Sequence, residues 1–211
     1  MAVAAKFPLT YLELAEFGQG KAIVRFPATM EEYWELLAQA EYRADFYQNE
    51  IIAMSYEPDV HSRITNWMSH LLILAFKGRK DLWHFNSNRP VCIPDCENAI
   101  FNPDGSVVLL PSKKFEYQPG MNAELTPMLL FEVLSESTRG RDYGEKLPCY
   151  QKIPSLQYIL FIDTRRPEVT LWQRLEGPDK WLEETFREPD GQFALNQHPV
   201  TLREIYEGSL L

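Results

Sequence analysis

The stretch PMLLFEVLSESTRGRDYGEKLPCY, residues 127–150, decides the fold. It opens as an apolar strand, MLLFEVL, with a carboxylate, Glu132, at its centre. Period two puts Leu130, Glu132 and Leu134 on one face and Leu129, Phe131 and Val133 on the other. Desolvating an ionised carboxylate costs several kcal/mol on an order-of-magnitude scale unless a partner offsets it. Two readings of Glu132 are therefore open. It pairs with a basic residue across the sheet, or it binds a hard cation.

The second reading gains from NPDGSVVLL at 102–110, where Asp104 stands at the start of another apolar strand. Pro103, Asp104 and Gly105 are turn formers, so a plain turn is the alternative. A Mg²⁺ site commonly takes one or two carboxylates and keeps several waters. Asp104 and Glu132 on neighbouring strands are placed to share one such ion. Metal-assisted phosphodiester hydrolysis also needs an offset for developing charge. The strand does not supply it, because the position two residues after Glu132 is Leu134. Lys146 can: Asp142, Lys146 and Tyr150 follow at i, i+4 and i+8, along one helix face. An ordinary Asp142–Lys146 surface pair is the competing account.

The other elements follow from periodicity and turn chemistry. Residues 1–27 are compositionally mixed and are expected to form an N-terminal arm to a single domain spanning 1–211. ATMEEYWELLAQA (28–40) has helical spacing, with Thr29 and Glu32 as a capping box. Strands are expected at 44–48 and 50–55 around a Gln48–Asn49 turn. A long helix runs from Pro58, capped by Asp59 and closed by Lys77, Arg79 and Lys80. Its expected buried stripe is Ile64, Trp67, Met68, Leu71, Leu72 and Ala75. Strands are expected at 81–87, 89–94, 106–110 and 128–135, a loop at 111–126 and a helix after 135. A strand at 156–164, a meander at 169–175 and 181–188, and a closing helix at 201–207 complete the chain. The fold class is α/β, a central mixed β-sheet flanked by helices.

Composition excludes some roles. No apolar run approaches the roughly 20 residues of a membrane span, and MAVAAKFP is too short an apolar block for a secretory signal. A cytoplasmic location without membrane contact is expected. Cys92, Cys96 and Cys149 are an odd count, read as free thiols rather than a disulfide framework. Cys92 and Cys96 with any of His61, His70, His84 and His198 match no zinc spacing. The net charge of −9 argues against general polyanion binding, so a nucleic-acid role needs a local basic patch around an acidic metal site. KGRK (77–80), KK (113–114) and RGR (139–141) are the small basic runs.

PDGSVV, FEVLSEST, RDYGEKLPCY and QYILFIDT occur in an order that resembles the Uma-two family of the restriction-endonuclease-like PD-(D/E)xK superfamily. The resemblance covers about Asp45 to Arg174, with a weaker echo in ADFYQNEIIAM. It implies a restriction-endonuclease-like fold and an endonuclease using Mg²⁺ or Mn²⁺ on DNA. Asp104 and Glu132 would hold the metal, and the catalytic lysine, Lys146, would have moved to the helix. It also implies supporting roles for Asp45, Glu50, His61 and Tyr150. His61 has its own bland account, a helix-start histidine bonded to backbone or solvent. The sequence departs from the family pattern at four places: Glu136 replaces a proline, Pro148 interrupts the expected helix, Asp45 replaces a Glu, and Asn49 replaces a turn glycine. Pro148 would cost about 3 kcal/mol in a helix interior.

Three function classes follow. The first is a metal-dependent DNA endonuclease. The second is a catalytically inactive relative of that fold, a dimeric binding or scaffold module, favoured by the net charge, Glu136 and Pro148. The third, a glycosidase with paired carboxylates, lacks any aromatic placement that marks a sugar cleft. A homodimer through the exposed edge of the meander is a further expectation.

Overall fold

The computed structural model describes residues 6–54, 58–86, 89–177 and 179–209. The first elements are α1 (Tyr11–Phe17), β1 (Ile23–Pro27), α2 (Met30–Leu37), β2 (Ala44–Tyr47), β3 (Glu50–Met54) and α3 (Asp59–Ala75). Six strands follow: β4 (Leu82–Asn86), β5 (Val91–Ile93), β6 (Ala99–Phe101), β7 (Gly105–Leu109), β8 (Lys114–Gln118) and β9 (Met121–Glu124). Then come β10 (Pro127–Leu134), α4 (Arg139–Arg141), a π turn (Asp142–Lys146), α5 (Leu147–Tyr150) and β11 (Tyr158–Asp163). The chain closes with β12 (Val169–Arg174), β13 (Trp181–Phe186), β14 (Gln192–Leu195), β15 (His198–Thr201) and α6 (Leu202–Ile205).

The central mixed sheet is six-stranded, in the order β13-β12-β11-β10-β7-β4. β10 and β11 are parallel, and the other pairs are antiparallel. A parallel pair needs a crossover, and the helical segment 139–150 provides it. All eight residues of β10 are buried, as expected of a strand covered on both faces. Leu129, Phe131 and Val133 pack with Ile64, Met68, Leu71 and Leu72 of α3. Leu130 and Leu134 pack on the opposite face with Cys149, Tyr150, Ile159 and Phe161. The alternation read from the sequence is thus two cores sharing one strand.

A second sheet of seven strands, β1-β3-β2-β6-β5-β9-β8, has its own core around Tyr33, Trp34, Phe46 and Ile51. Several expectations are corrected here. Residues 11–27 are not an arm: Thr10 caps α1, and β1 pairs along β3 from Ile23↔Met54 to Pro27↔Glu50. Phe7, Leu14, Val24 and Phe26 anchor this part in the core. The expected loop at 111–126 is the β8–β9 hairpin, whose strands carry no long apolar run. β6, β14 and β15 are also additional, each too short for a periodic signal. Within α3, Pro58 occupies the N-cap, Asp59 is the first helical residue, and Lys77, Arg79 and Lys80 lie beyond its end. Trp67 is only half-buried, while the rest of the expected stripe is buried. The expected strand ends at residues 55 and 87 lie outside the described residues.

Other details hold. Thr29 and Glu32 form the capping box of α2. Gln48 and Asn49 have φ of 51° and 58°, the left-handed pair that a two-residue hairpin requires. β12 and β13 pair as the meander. The closing helix is one short turn, Leu202–Ile205. Cys96 and Cys149 form a disulfide with Cα atoms 5.5 Å apart, which corrects the expectation of free thiols. Cys92 is free, and burial pushes its thiol up to about 11.

Candidate active site

The site forms where β7 and β10 run side by side. Gly105 pairs with Phe131, which sets Asp104 beside Glu132 at the head of the next rung. Gly105 opens strand β7, and packing is what requires a glycine there. A Cβ there would lie 2.1 Å from Phe131 Cε1. Asp104 is buried, and its Oδ2 accepts the backbone N–H of Val133 at 2.7 Å. His61, in the first turn of α3, places Nε2 3.1 Å from the same oxygen. Burial opposes ionisation of Asp104, but His61, Lys146 and the Val133 N–H outweigh it and hold the carboxyl below its ordinary range.

Glu132 does not pair across the sheet. Its Oε1 lies 2.9 Å from Lys146 Nζ and accepts the Tyr150 hydroxyl at 2.5 Å. Burial, then the charges of Asp104 and Asp142, push it up to about 8 against the pull of Lys146. Lys146 is buried, not a surface lysine, and also reaches Asp142 Oδ1 at 3.3 Å and Asp45 Oδ2 at 3.9 Å. Burial disfavours its charge, yet the surrounding carboxylates raise its pKa and keep it an ammonium. The surface-pair account of Asp142 and Lys146 is therefore overturned.

The helix delivers Lys146 despite Pro148. Proline lacks an N–H and clashes with the preceding α turn. The backbone widens into a π turn over Asp142–Lys146, closed by the Leu147 N–H on Asp142 O, and Pro148 falls in the first turn of α5. The widening has a second effect. Residues five apart point roughly 140° away from each other on an α-helix. Here Arg141 and Lys146 both reach Asp45, Arg141 Nη2 at 2.6 Å and Lys146 Nζ at 3.9 Å. π turns of this kind are frequent at functional sites.

A cavity of about 170 Å³ is lined by Asp104, Glu132, Asp142, Lys146 and His61, with Arg43, Ser135, Ser137 and Thr138 among its other walls. Asp45 is buried behind it. Its Oδ1 accepts the backbone N–H of Asn102 at 2.6 Å, and its ionisation, opposed by burial, is sustained by Arg141 and Lys146. Tyr150 acts from behind as well, through Glu132. Glu50 is not brought to the site. It pairs with Arg25 at 2.9 Å, is about a third exposed, and does not line the cavity. Asp142, Arg141 and Asn102 belong to the site and were not singled out by motif. The only signal was the spacing of Asp142 to Lys146.

Among the described residues no three acidic, His or Cys side chains form a ready cation cage, and no helix is long and apolar enough to cross a membrane. The family described as "Uma2: Putative restriction endonuclease" matches residues 30–203. Two proteins of Synechocystis sp., each described as uncharacterized, are similar. One, sll1609, is 34% identical over 154 residues, covering 73% of this chain and 84% of the relative. The other, slr1290, is 29% identical over 152 residues, covering 72% and 76%. A crystal structure from Anabaena variabilis, described as "a putative nuclease belonging to DUF820", superposes with a TM-score of 0.62 at 16% identity. That match covers 95% of this chain and 98% of the other, and it establishes a shared fold.

Proposed function

The chain belongs to the Uma2 family, and from that premise we propose that it is a nuclease that hydrolyses DNA phosphodiester bonds with Mg²⁺ or Mn²⁺. The observation that carries this reading is the convergence of Asp104, Glu132 and Lys146 on one cavity. The donor set fits such an ion. Asp104, Glu132 and Asp142 are three buried carboxylates around the single ammonium of Lys146, and burial first, then the charges of Asp104 and Asp142, push Glu132 toward protonation. A divalent cation offsets that surplus of negative charge. Mg²⁺ also characteristically takes one or two carboxylates and fills the rest of its shell with water and phosphate.

Asp104 and Glu132 would hold the ion. When bound, it supplies Lewis-acid polarisation of the phosphate and makes water a better nucleophile. The remaining work is done by the chain. The Val133 N–H and His61 fix the orientation of Asp104. The Tyr150 hydroxyl fixes Glu132. The Lys146 ammonium stands in a low-dielectric site, where it stabilises negative charge developing on the phosphoryl oxygens. Arg141 neutralises Asp45 and so keeps that carboxylate from claiming Lys146 for itself.

Supercoiled plasmid incubated with the protein and Mg²⁺ or Mn²⁺ tests the reading. Nicking that chelator removes and that Asp104→Ala lacks is expected. No cutting with either metal, or equal cutting by Asp104→Ala, overturns it. Calorimetry without any divalent-cation binding at millimolar concentration would point instead to a non-catalytic binding module.

A further inference from the structure

Beside the pocket, this acidic chain gathers four arginines over two carboxylates. Asp163 ends β11, and Glu168 immediately precedes β12. Their side chains are only 2% and 4% exposed. Arg139 Nη1 lies 2.5 Å from Asp163 Oδ2, and its Nη2 lies 3.3 Å from Glu168 Oε1. Arg165 Nε stands 3.5 Å from Asp163, Arg166 Nη2 3.0 Å from Glu168, and Arg187 Nε 2.6 Å from Glu168. Four guanidinium groups face two carboxylates, so two positive charges are in surplus. The outer three side chains are 50%, 58% and 64% exposed and touch the carboxylates through one nitrogen each. A guanidinium carries five donors in a planar fork suited to phosphate. The exposed acids adjacent in sequence, Glu136 and Glu188, make no ion pair with these arginines among the described residues.

The location matters as much as the charge. Thr164 donates both its N–H, at 3.1 Å, and its hydroxyl, at 2.8 Å, to Leu134 O. That pins the 164–168 turn to the end of β10, one residue before the cavity wall at Ser135. Arg139 directly follows Thr138, another wall residue. The patch therefore begins where the rim of the pocket ends.

We propose that Arg165, Arg166 and Arg187, with Arg139 at the inner margin, bind the DNA backbone flanking the phosphate presented to the pocket. This inference rests on the nuclease reading. The buried carboxylates preorganise the guanidinium groups, and the surplus charge is left for phosphates. Such local placement reconciles a net charge of −9 with a polyanionic substrate.

The test is binding of a short fluorescent DNA duplex to the full chain in chelator, so that no cleavage intervenes, across a salt series. Arg165→Gln/Arg166→Gln should weaken binding at least tenfold. It should also lower the slope of log affinity against log salt by about 2, near one unit per phosphate contact. Lys77→Gln/Lys80→Gln removes the same charge elsewhere and should bind like the parent. Arg165→Lys/Arg166→Lys should recover much of the loss. Equal loss from both Gln pairs, no loss from the first, or no duplex binding by the parent overturns the proposal. Circular dichroism melting of each variant separates loss of binding from loss of fold. A parent that binds through this patch yet cuts no plasmid would sink the nuclease reading alone. A parent that cuts normally while Arg165→Gln/Arg166→Gln binds unchanged would sink the patch alone.

Discussion

The carboxylate of Asp104 is fastened to the backbone of Val133, 2.7 Å from its N–H, so β7 and β10 carry their two acids as one unit. The second acid, Glu132, is the residue just before Val133. The bond needs only an acceptor at position 104, whereas an ion needs negative charge there. The two demands can be separated by substitution.

Asp104→Asn keeps an oxygen for Val133 and should fold with little change in melting temperature, yet lose metal-dependent nicking. Lys146→Met should lower the cleavage rate by about 10²–10³-fold, the usual cost of removing one preorganised charge-stabilising group. Single-turnover assays with each purified variant check both. Retained cleavage in Lys146→Met would remove the lysine from the chemistry.

Gly105→Ala should destabilise the protein by about 1–3 kcal/mol, the range for overpacking a filled site. The new methyl meets the Phe131 ring, which is itself locked in the core. Urea unfolding of Gly105→Ala against the parent measures it. A smaller variant at the partner, Phe131→Leu, should recover part of the loss if the ring is the obstacle.

Arg141→Met leaves Asp45 buried without its closest cation and should cost about 3–5 kcal/mol, the usual penalty for breaking a buried pair. Glu50→Gln removes a pair with Arg25 whose side chains are each about a third exposed and should change stability by no more than about 0.5 kcal/mol. Glu50 is outside the cavity, so its cleavage rate should also stay within twofold. A large loss in Glu50→Gln would mean that the outer pair reaches the site after all.

His84 gives a pH signature away from the pocket. Burial holds its pKa below the ordinary 6.5, and its Nδ1 is buried without a hydrogen-bond partner among the described residues. The unfolded chain therefore takes up this proton before the folded one does. The stability that follows is present above about pH 6.5 and is lost as pH falls below it. Melting temperature measured from pH 8 to 5 should decline more steeply in the parent than in His84→Leu. Parallel curves would show that this imidazole contributes nothing.

Part of this was legible from residues alone. β10 announced itself by alternation with a carboxylate in the middle, and the spacing from Asp142 to Lys146 placed an ammonium near it. The capping box of α2 and the Gln48–Asn49 hairpin are local chemistry, so sequence reveals them. The hidden features depend on distant neighbours. β1 is a strand because β3 offers it an edge, and β8 and β9 pair with each other without a long apolar run. Cys96 and Cys149 are 53 residues apart and meet only once the sheets are built. Arg141 was unreadable because ordinary helical geometry would turn it away from Lys146. Glu50 misled because it shares a face of the hairpin with Asp45, yet it stands opposite Tyr47, one step nearer the turn, and its carboxylate goes to Arg25 instead.

The π turn also sets a rule about length. Five residues, Asp142 to Lys146, span a loop of helix that an α register would cross with four. Deleting one of them would let the segment rewind and swing either the guanidinium or the ammonium outward. Outward-facing letters in this segment can drift, but their number cannot. A homologue with a gap here should have surrendered the lysine's role to another position or abandoned the reaction.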